Sequence, residues 1–257
     1  MRTAPLRLVS TSLIASVLAV GAASAQSAAA PSTSAPNPAV QKKVAAFKEA
    51  LAKNKQALAQ YTWTEQDTIS LKGEVKKQEQ FQVTLGPDGK PQKTPLNPQA
   101  PPQQQADSGR RGGRLKEHVV EKKKEEYKDY ADSIKALIQQ YLPPDKDAIE
   151  QARQKGNIAV TPEASGQYKL VITNYVKQGD NMTIVIDAAN NTIVSLSIAS
   201  YLSSPQDAVT VSSQFAAIPG GPNHAASQTI NGVSKQLTIA VQNSNYQKTQ
   251  TASQPAS

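Results

Sequence analysis

The 257-residue chain carries 28 basic and 20 acidic side chains, a formal net charge of +8, and no cysteine. Disulfides and thiolate chemistry are excluded, so the fold has to rest on an ordinary apolar core. The basic excess lies before residue 157, because from Asn157 onward Lys169, Lys177, Lys235 and Lys248 balance Glu163, Asp180, Asp187 and Asp207.

Residues 1–25 read as a secretory signal. Arg2 and Arg7 form a positive start, Leu8–Val20 is a short apolar run, and Ala23-Ser24-Ala25 is a small-x-small cleavage site. The apolar run is too short to span a bilayer and no second one follows, so no transmembrane segment is expected after cleavage. The expected location is exported, periplasmic or extracellular. Residues 26–37 (QSAAAPSTSAPN) form a small-residue linker expected to be disordered. Asn37-Pro38 then supplies an N-cap and a first-turn proline. Val40, Val44, Phe47, Leu51 and Leu58 make one apolar stripe on the helix that follows.

At Tyr61 the period changes to two. Tyr61–Leu71 is a strand with Tyr61, Trp63, Glu65, Asp67, Ile69 and Leu71 on one face. After Lys72-Gly73 a second strand, Glu74–Leu85, places Phe81, Val83 and Leu85 together. Gly86-Pro87-Asp88-Gly89 is a turn, and a short third strand is expected near Lys93–Leu96. Residues 97–114 are rich in Pro, Gln, Gly and Arg and read as a disordered insertion. Arg110–Arg114 is a single RGG-like element. Nucleic-acid binding of that type needs repetition, so no nucleic-acid partner is expected.

Leu115–Leu142 reads as a long helix with a charged first half and a stripe of Tyr127, Tyr130, Ala131, Ile134, Leu137, Ile138 and Tyr141 in the second. Asp147–Glu150 has the pattern of a capping box opening a third helix, which Gly156 stops. Strands resume at Asn157–Val160. The centre of the chain is Tyr168–Val176, Met182–Asp187 and Thr192–Leu202, dense in Val, Ile, Thr and Tyr and joined by tight turns. Its apolar residues fall in both phases, Leu170 and Ile172 in one and Val171 and Tyr175 in the other. Both sheet faces are therefore expected to be partly covered, or one to line a cavity. Ala208–Phe215, His224–Ile230 and Gln236–Val241 complete the strands. The last hairpin turns at Asn231-Gly232 or at Val233–Lys235. Residues 243–257 read as a disordered tail.

Strand-rich ends around a helical middle, with short links between consecutive strands, argue antiparallel pairing. The expected fold is one α+β domain over 38–242, a curved, half-barrel-like antiparallel sheet of seven to nine strands with helices on one face. In this order of signal, helix, aromatic-bearing first strands, helical interlude and strand meander, the chain resembles the periplasmic lipoprotein-carrier (LolA/LolB-like) proteins from Val40 to Val241. That resemblance implies an open half-barrel whose concave face, lidded by helices, holds acyl chains. The runs LGPDGKPQKTP (85–95) and NSNYQK (243–248) also resemble those of exported bacterial proteins without an assigned function.

Familiar catalytic signatures are missing. His118 and His224 lie far apart without metal-ligand spacing, and there is no P-loop, G-x-G-x-x-G or G-x-S-x-G. Asp145-Lys146-Asp147 starts like a calcium loop but lacks its later ligands, which leaves helix capping. No metal or other cofactor is expected. Glu65 and Asp67, two apart on one strand, sit roughly 6.5–7 Å apart at Cα, a spacing that suits a glycosidase pair. Acids on a solvated strand face are the plainer account.

The function expected first is non-enzymatic, the binding of a lipid or other amphipathic ligand in a sheet–helix cleft. Its lining would come from Trp63, Ile69, Phe81, Leu170, Ile172, Ile184, Ile186 and Tyr201. Ordinary core is the competing account of each. The alternatives are an interaction module that docks an envelope protein or anionic polymer through the basic helix or the strand edges, and a hydrolase built on carboxylates.

Overall fold

The structure, a computed structural model, describes residues 38–96 and 113–249. The expected signal (1–25), the linker (26–37), positions 97–112 of the insertion and the last residues, 250–257, lie outside the described residues. The elements in chain order are α1 (Pro38–Leu58), β1 (Tyr61–Leu71), β2 (Glu74–Leu85), β3 (Pro91–Pro95), α2 (Gly113–Ile138), α3 (Lys146–Gln154), β4 (Ile158–Pro162), β5 (Gln167–Thr173), β6 (Asn181–Asp187), β7 (Thr192–Tyr201), β8 (Ala208–Ala217), β9 (Asn223–Gly232) and β10 (Leu237–Lys248). The ten strands form one open antiparallel sheet in the order β3-β2-β1-β10-β9-β8-β7-β6-β5-β4. Two meanders, one from each end of the chain, meet where β1 pairs with β10. The α+β class and the curved antiparallel sheet agree with the sequence, and the strand number exceeds the expected seven to nine.

One face of the sheet packs on the helices. Across it runs an apolar row, Ile172–Met182–Ile198–Val211–Ile230–Ile239–Ile69, each residue opposite the next on β5, β6, β7, β8, β9, β10 and β1. These residues join Phe47 of α1, Tyr130, Ile134, Leu137 and Ile138 of α2, and Ile149 and Ala152 of α3 in one core. Burying such side chains away from water is the main stabilising term. The other face is uncharged and polar where Gln80, Gln66, Gln242, Ser227, Gln214 and Ser195 stand in register.

α2 docks on Gly232, where an added Cβ would lie 2.6 Å from the Tyr130 ring and 2.7 Å from Ile134. Only a residue without a side chain lets the helix approach that closely. Tyr130 also donates to Asp207 at 2.8 Å.

Several boundaries differ from the sequence reading. α2 begins at Gly113, inside the expected insertion, and ends at Ile138 rather than Leu142. Asp145, not Asp147, caps α3, its carboxylate accepting from the Ala148 N–H. Gly156 stops that helix as expected, with φ 72°. Gly156 N–H donates to Arg153 and Asn157 N–H to Ala152, which satisfies the last carbonyls. The β9–β10 turn uses residues 233–236, because Asn231 pairs with Thr238 inside the ladder. β10 runs to Lys248 and takes in the first six residues of the expected tail, 243–248, held by β1 across Tyr61–Thr64. For Tyr175 the double-phase pattern has a local cause. The chain leaves β5 through Asn174 at φ 52°, which returns Tyr175 to the core beside Tyr141.

Candidate functional site

The β1 end of the helix-side face departs from the apolar pattern. One row of that face runs Leu170–Ile184–Leu196 and then Ser213–Gln228–Val241–Asp67. In the adjoining row Asn243 stands opposite Glu65 and Glu65 opposite Phe81. Ser213, Gln228, Asp67 and Glu65 are all buried. The apolar floor thus grades into a buried polar strip that ends in two acids.

Glu65 and Asp67 share their strand face with Trp63, as the period of two requires, but that face is not solvated. Their side chains are 0 % and 2 % exposed. The expectation of a solvated acid face is therefore corrected, and the reason lies two strands away. Trp63 pairs with Val83 and Val83 with Lys93 of β3, which puts Lys93 on the same face. Its Nζ passes 5.4 Å from the Phe81 ring centroid, donates to Glu65 Oε1 and lies 3.4 Å from Asp67 Oδ2. The Lys93 side chain is itself only 13 % exposed.

One ammonium between two buried carboxyls leaves a charge uncompensated, and an unpaired buried charge shifts its pKa instead of persisting. Burial pushes the Glu65 carboxyl up to about 7. Lys93 opposes that rise, and the charge of Asp67 adds to it. Among the described residues Glu65 Oε2 and Asp67 Oδ1 have no hydrogen-bond partner.

An aromatic wall adjoins the acids. A register shift in the β1–β10 ladder between Thr62 and Thr64 brings Tyr246 beside Trp63. The rings stack with centroids 5.5 Å apart. Tyr246 in turn stacks on His224 at 4.0 Å. Trp63 Nε1 donates to Asn243 at 3.1 Å, and Asn243 Nδ2 donates to the Ala225 carbonyl at 2.9 Å. Burial, and then the charge of Glu65, raises the Tyr246 phenol above its usual range. Burial lowers the His224 imidazole and so favours its neutral form, and its Nδ1 is buried without a partner.

The sequence candidates fall into separate groups. Leu170, Ile172 and Ile184 are fully buried core, with Ile186 and Ile69 packed at its margins. Trp63 and Phe81 belong to the charged cluster. Tyr201 joins neither, because its neighbour Ser200 takes the core-facing position. The Tyr201 hydroxyl donates to the Gln178 carbonyl at 2.9 Å, and Lys177 lies over its ring. Lys93, His224, Asn243 and Tyr246 were not among the candidates. The one available signal was Trp63, Glu65 and Asp67 sharing a phase with Ile69 and Leu71.

Among the described residues no group of three or more His, Asp or Glu side chains is arranged to hold a metal ion. Nor is any described helix long and apolar enough to cross a membrane. The cluster's chemistry is that of a buried cation holder and of a carboxyl that takes up or releases a proton near neutral pH.

No protein-family model matches the chain, and no curated protein matches it. Two solved structures are similar in architecture. One is a DUF1329 family protein from Desulfovibrio piger, at 12 % identity and TM-score 0.40 over 81 % of this chain and 94 % of that one. The other is a LolA superfamily protein from Nitrosomonas europaea, at 9 % identity and TM-score 0.33 over 80 % of this chain and 94 % of that one.

Proposed function

We propose that this is a non-enzymatic exported protein that binds an amphipathic ligand between its sheet and helices. One observation carries this reading, the continuity on a single sheet face of an apolar floor and a buried charged end. The apolar part of a ligand would lie along the floor of Leu170, Ile184 and Leu196, in place of contacts now made by the helices. Its polar part would reach Glu65, Asp67 and Lys93. Ligand sites are commonly apolar with a few convergent polar groups. Native mass spectrometry of the protein from its own exported fraction tests the reading. Extra mass released on denaturation as a lipid or other amphiphile supports it. A bare monomer mass, together with no uptake of an apolar fluorescent probe, removes it.

A second reading, a carboxylate hydrolase, is favoured by Glu65, whose carboxyl is held near neutrality beside a second acid. It ranks lower because both acids are covered, so a substrate has to displace Lys93 to reach them. Turnover of chromogenic esters or glycosides that disappears in Glu65→Gln would reverse that order.

A further inference from the structure

All the buried side-chain polar atoms found without a partner among the described residues lie in the one cluster: Glu65 Oε2, Asp67 Oδ1 and His224 Nδ1. They come from two strands, β1 and β9, and the Trp63–Tyr246–His224 stack connects them. Each is a hydrogen-bond acceptor once Glu65 has released its proton, above about pH 7, with His224 Nδ1 in the tautomer that carries its proton on Nε2. Such a set lacks donors, and a group rich in acceptors would meet only repulsion there. A primary ammonium brings three donors and one positive charge. Lys93 already shows that the carboxyls accept this chemistry, engaging Glu65 Oε1 and Asp67 Oδ2 while leaving the other oxygen of each acid free. Its charge balances only one of the two acids.

We propose that this cluster recognises the primary ammonium group of a ligand whose apolar part lies along the sheet floor. The ammonium joins or replaces Lys93, engaging Glu65 Oε2 and Asp67 Oδ1. The edge strand β3, which carries Lys93 and spans only Pro91–Pro95, is the element that yields on entry. This inference rests on the carrier reading and deepens it by naming the class of polar group.

The test loads the mature protein with the neutral probe N-phenyl-1-naphthylamine and displaces it with octylammonium, octanol or octanoate. Octylammonium is expected to act at about ten- to a hundredfold lower concentration than octanol, the range of a charge-assisted hydrogen bond. Glu65→Gln and Asp67→Asn should each remove most of that advantage, read as the ratio of octylammonium to octanol displacement within the same variant. Lys93→Met, which removes the internal competitor, should bind octylammonium more tightly, and the melting temperature of the parent in propylammonium chloride against sodium chloride keeps the test decisive if a variant fails to fold. Equal displacement by all three compounds, a preference for octanoate, or an ammonium preference that survives both acid substitutions overturns the inference and leaves the carrier reading standing. If no probe enters, the carrier reading fails. The ammonium site is then read from the melting temperature in propylammonium chloride against sodium chloride, where an absent shift overturns it.

Discussion

Asp180 and the Glu65–Asp67 pair are both buried acids of one small domain, and they are built in opposite ways. Asp180 accepts from the backbone N–H groups of Tyr175 (2.6 Å), Val176 (2.9 Å) and Lys177 (2.8 Å), and from the Tyr141 hydroxyl at 2.5 Å. Tyr141 also bonds Ser200 at 2.8 Å. Every donor there belongs to the turn between β5 and β6 or to the core that covers it. Such an acid fixes a loop. Glu65 and Asp67 receive no backbone N–H. They share one flexible ammonium from an edge strand and keep two acceptor oxygens empty. Burial alone therefore does not distinguish an acid that fixes a loop from one whose partner can exchange. The source of its partners does, because backbone donors are permanent and a lysine on a short edge strand is exchangeable.

Breaking the two sites should separate them. The largest effect is expected for Lys93→Met, which strands two carboxyls in the interior. Removing one partner of a buried ion pair typically costs about 3–5 kcal/mol. Denaturant titration should find that loss at pH 8 and a smaller one at pH 5, where a proton on Glu65 takes the ammonium's place. Asp180→Ala orphans three backbone donors and should cost about 3 kcal/mol. It should leave probe binding intact, because its role is confined to the turn.

Gly232→Ala tests the core between the two sites. The added methyl meets Tyr130 and Ile134 of α2, and overpacking of this kind costs about 1–3 kcal/mol. A melting temperature equal to that of the parent would show that α2 does not dock as described.

The subtlest effect is a pH slope. Glu65 holds its proton up to about pH 7 when folded, against an ordinary value of 4.5. Below the lower value both states are protonated and the contribution is complete. Between the two values only the folded state keeps the proton, so stability falls as pH rises, and the loss is finished above the upper value. The lowered pKa of His224 contributes with the opposite sign. The difference between parent and Glu65→Gln isolates the Glu65 part, on the order of 1–3 kcal/mol over that window. Parallel stability curves for the two proteins would remove the account of Glu65 given above.

Much of the fold was legible because its signals are local. Density in Val, Ile, Thr and Tyr between tight turns marked the central strands over Tyr168–Leu202, and the stripe from Tyr130 to Ile138 marked the buried half of α2. The cluster was half legible. A period of two places Trp63, Glu65 and Asp67 on one face whatever surrounds them. Two acids in that phase nevertheless suggest water, since isolated carboxylates are rarely buried. Tyr246 fell in a stretch whose polar composition read as a disordered tail.

By itself, then, the sequence determined the α+β class, the antiparallel pairing, most element positions and the phase of β1 and β2. These follow from side-chain period and turn chemistry within a few residues. Only the tertiary structure decided that the acid-bearing phase of β1 is interior. That outcome depends on β10 pairing with β1, which extends the second meander to Lys248 and stacks Tyr246 on Trp63. It also depends on β3 lying two strands away and lending Lys93. The charge that makes the burial tolerable comes from another strand, and no local pattern in β1 records it.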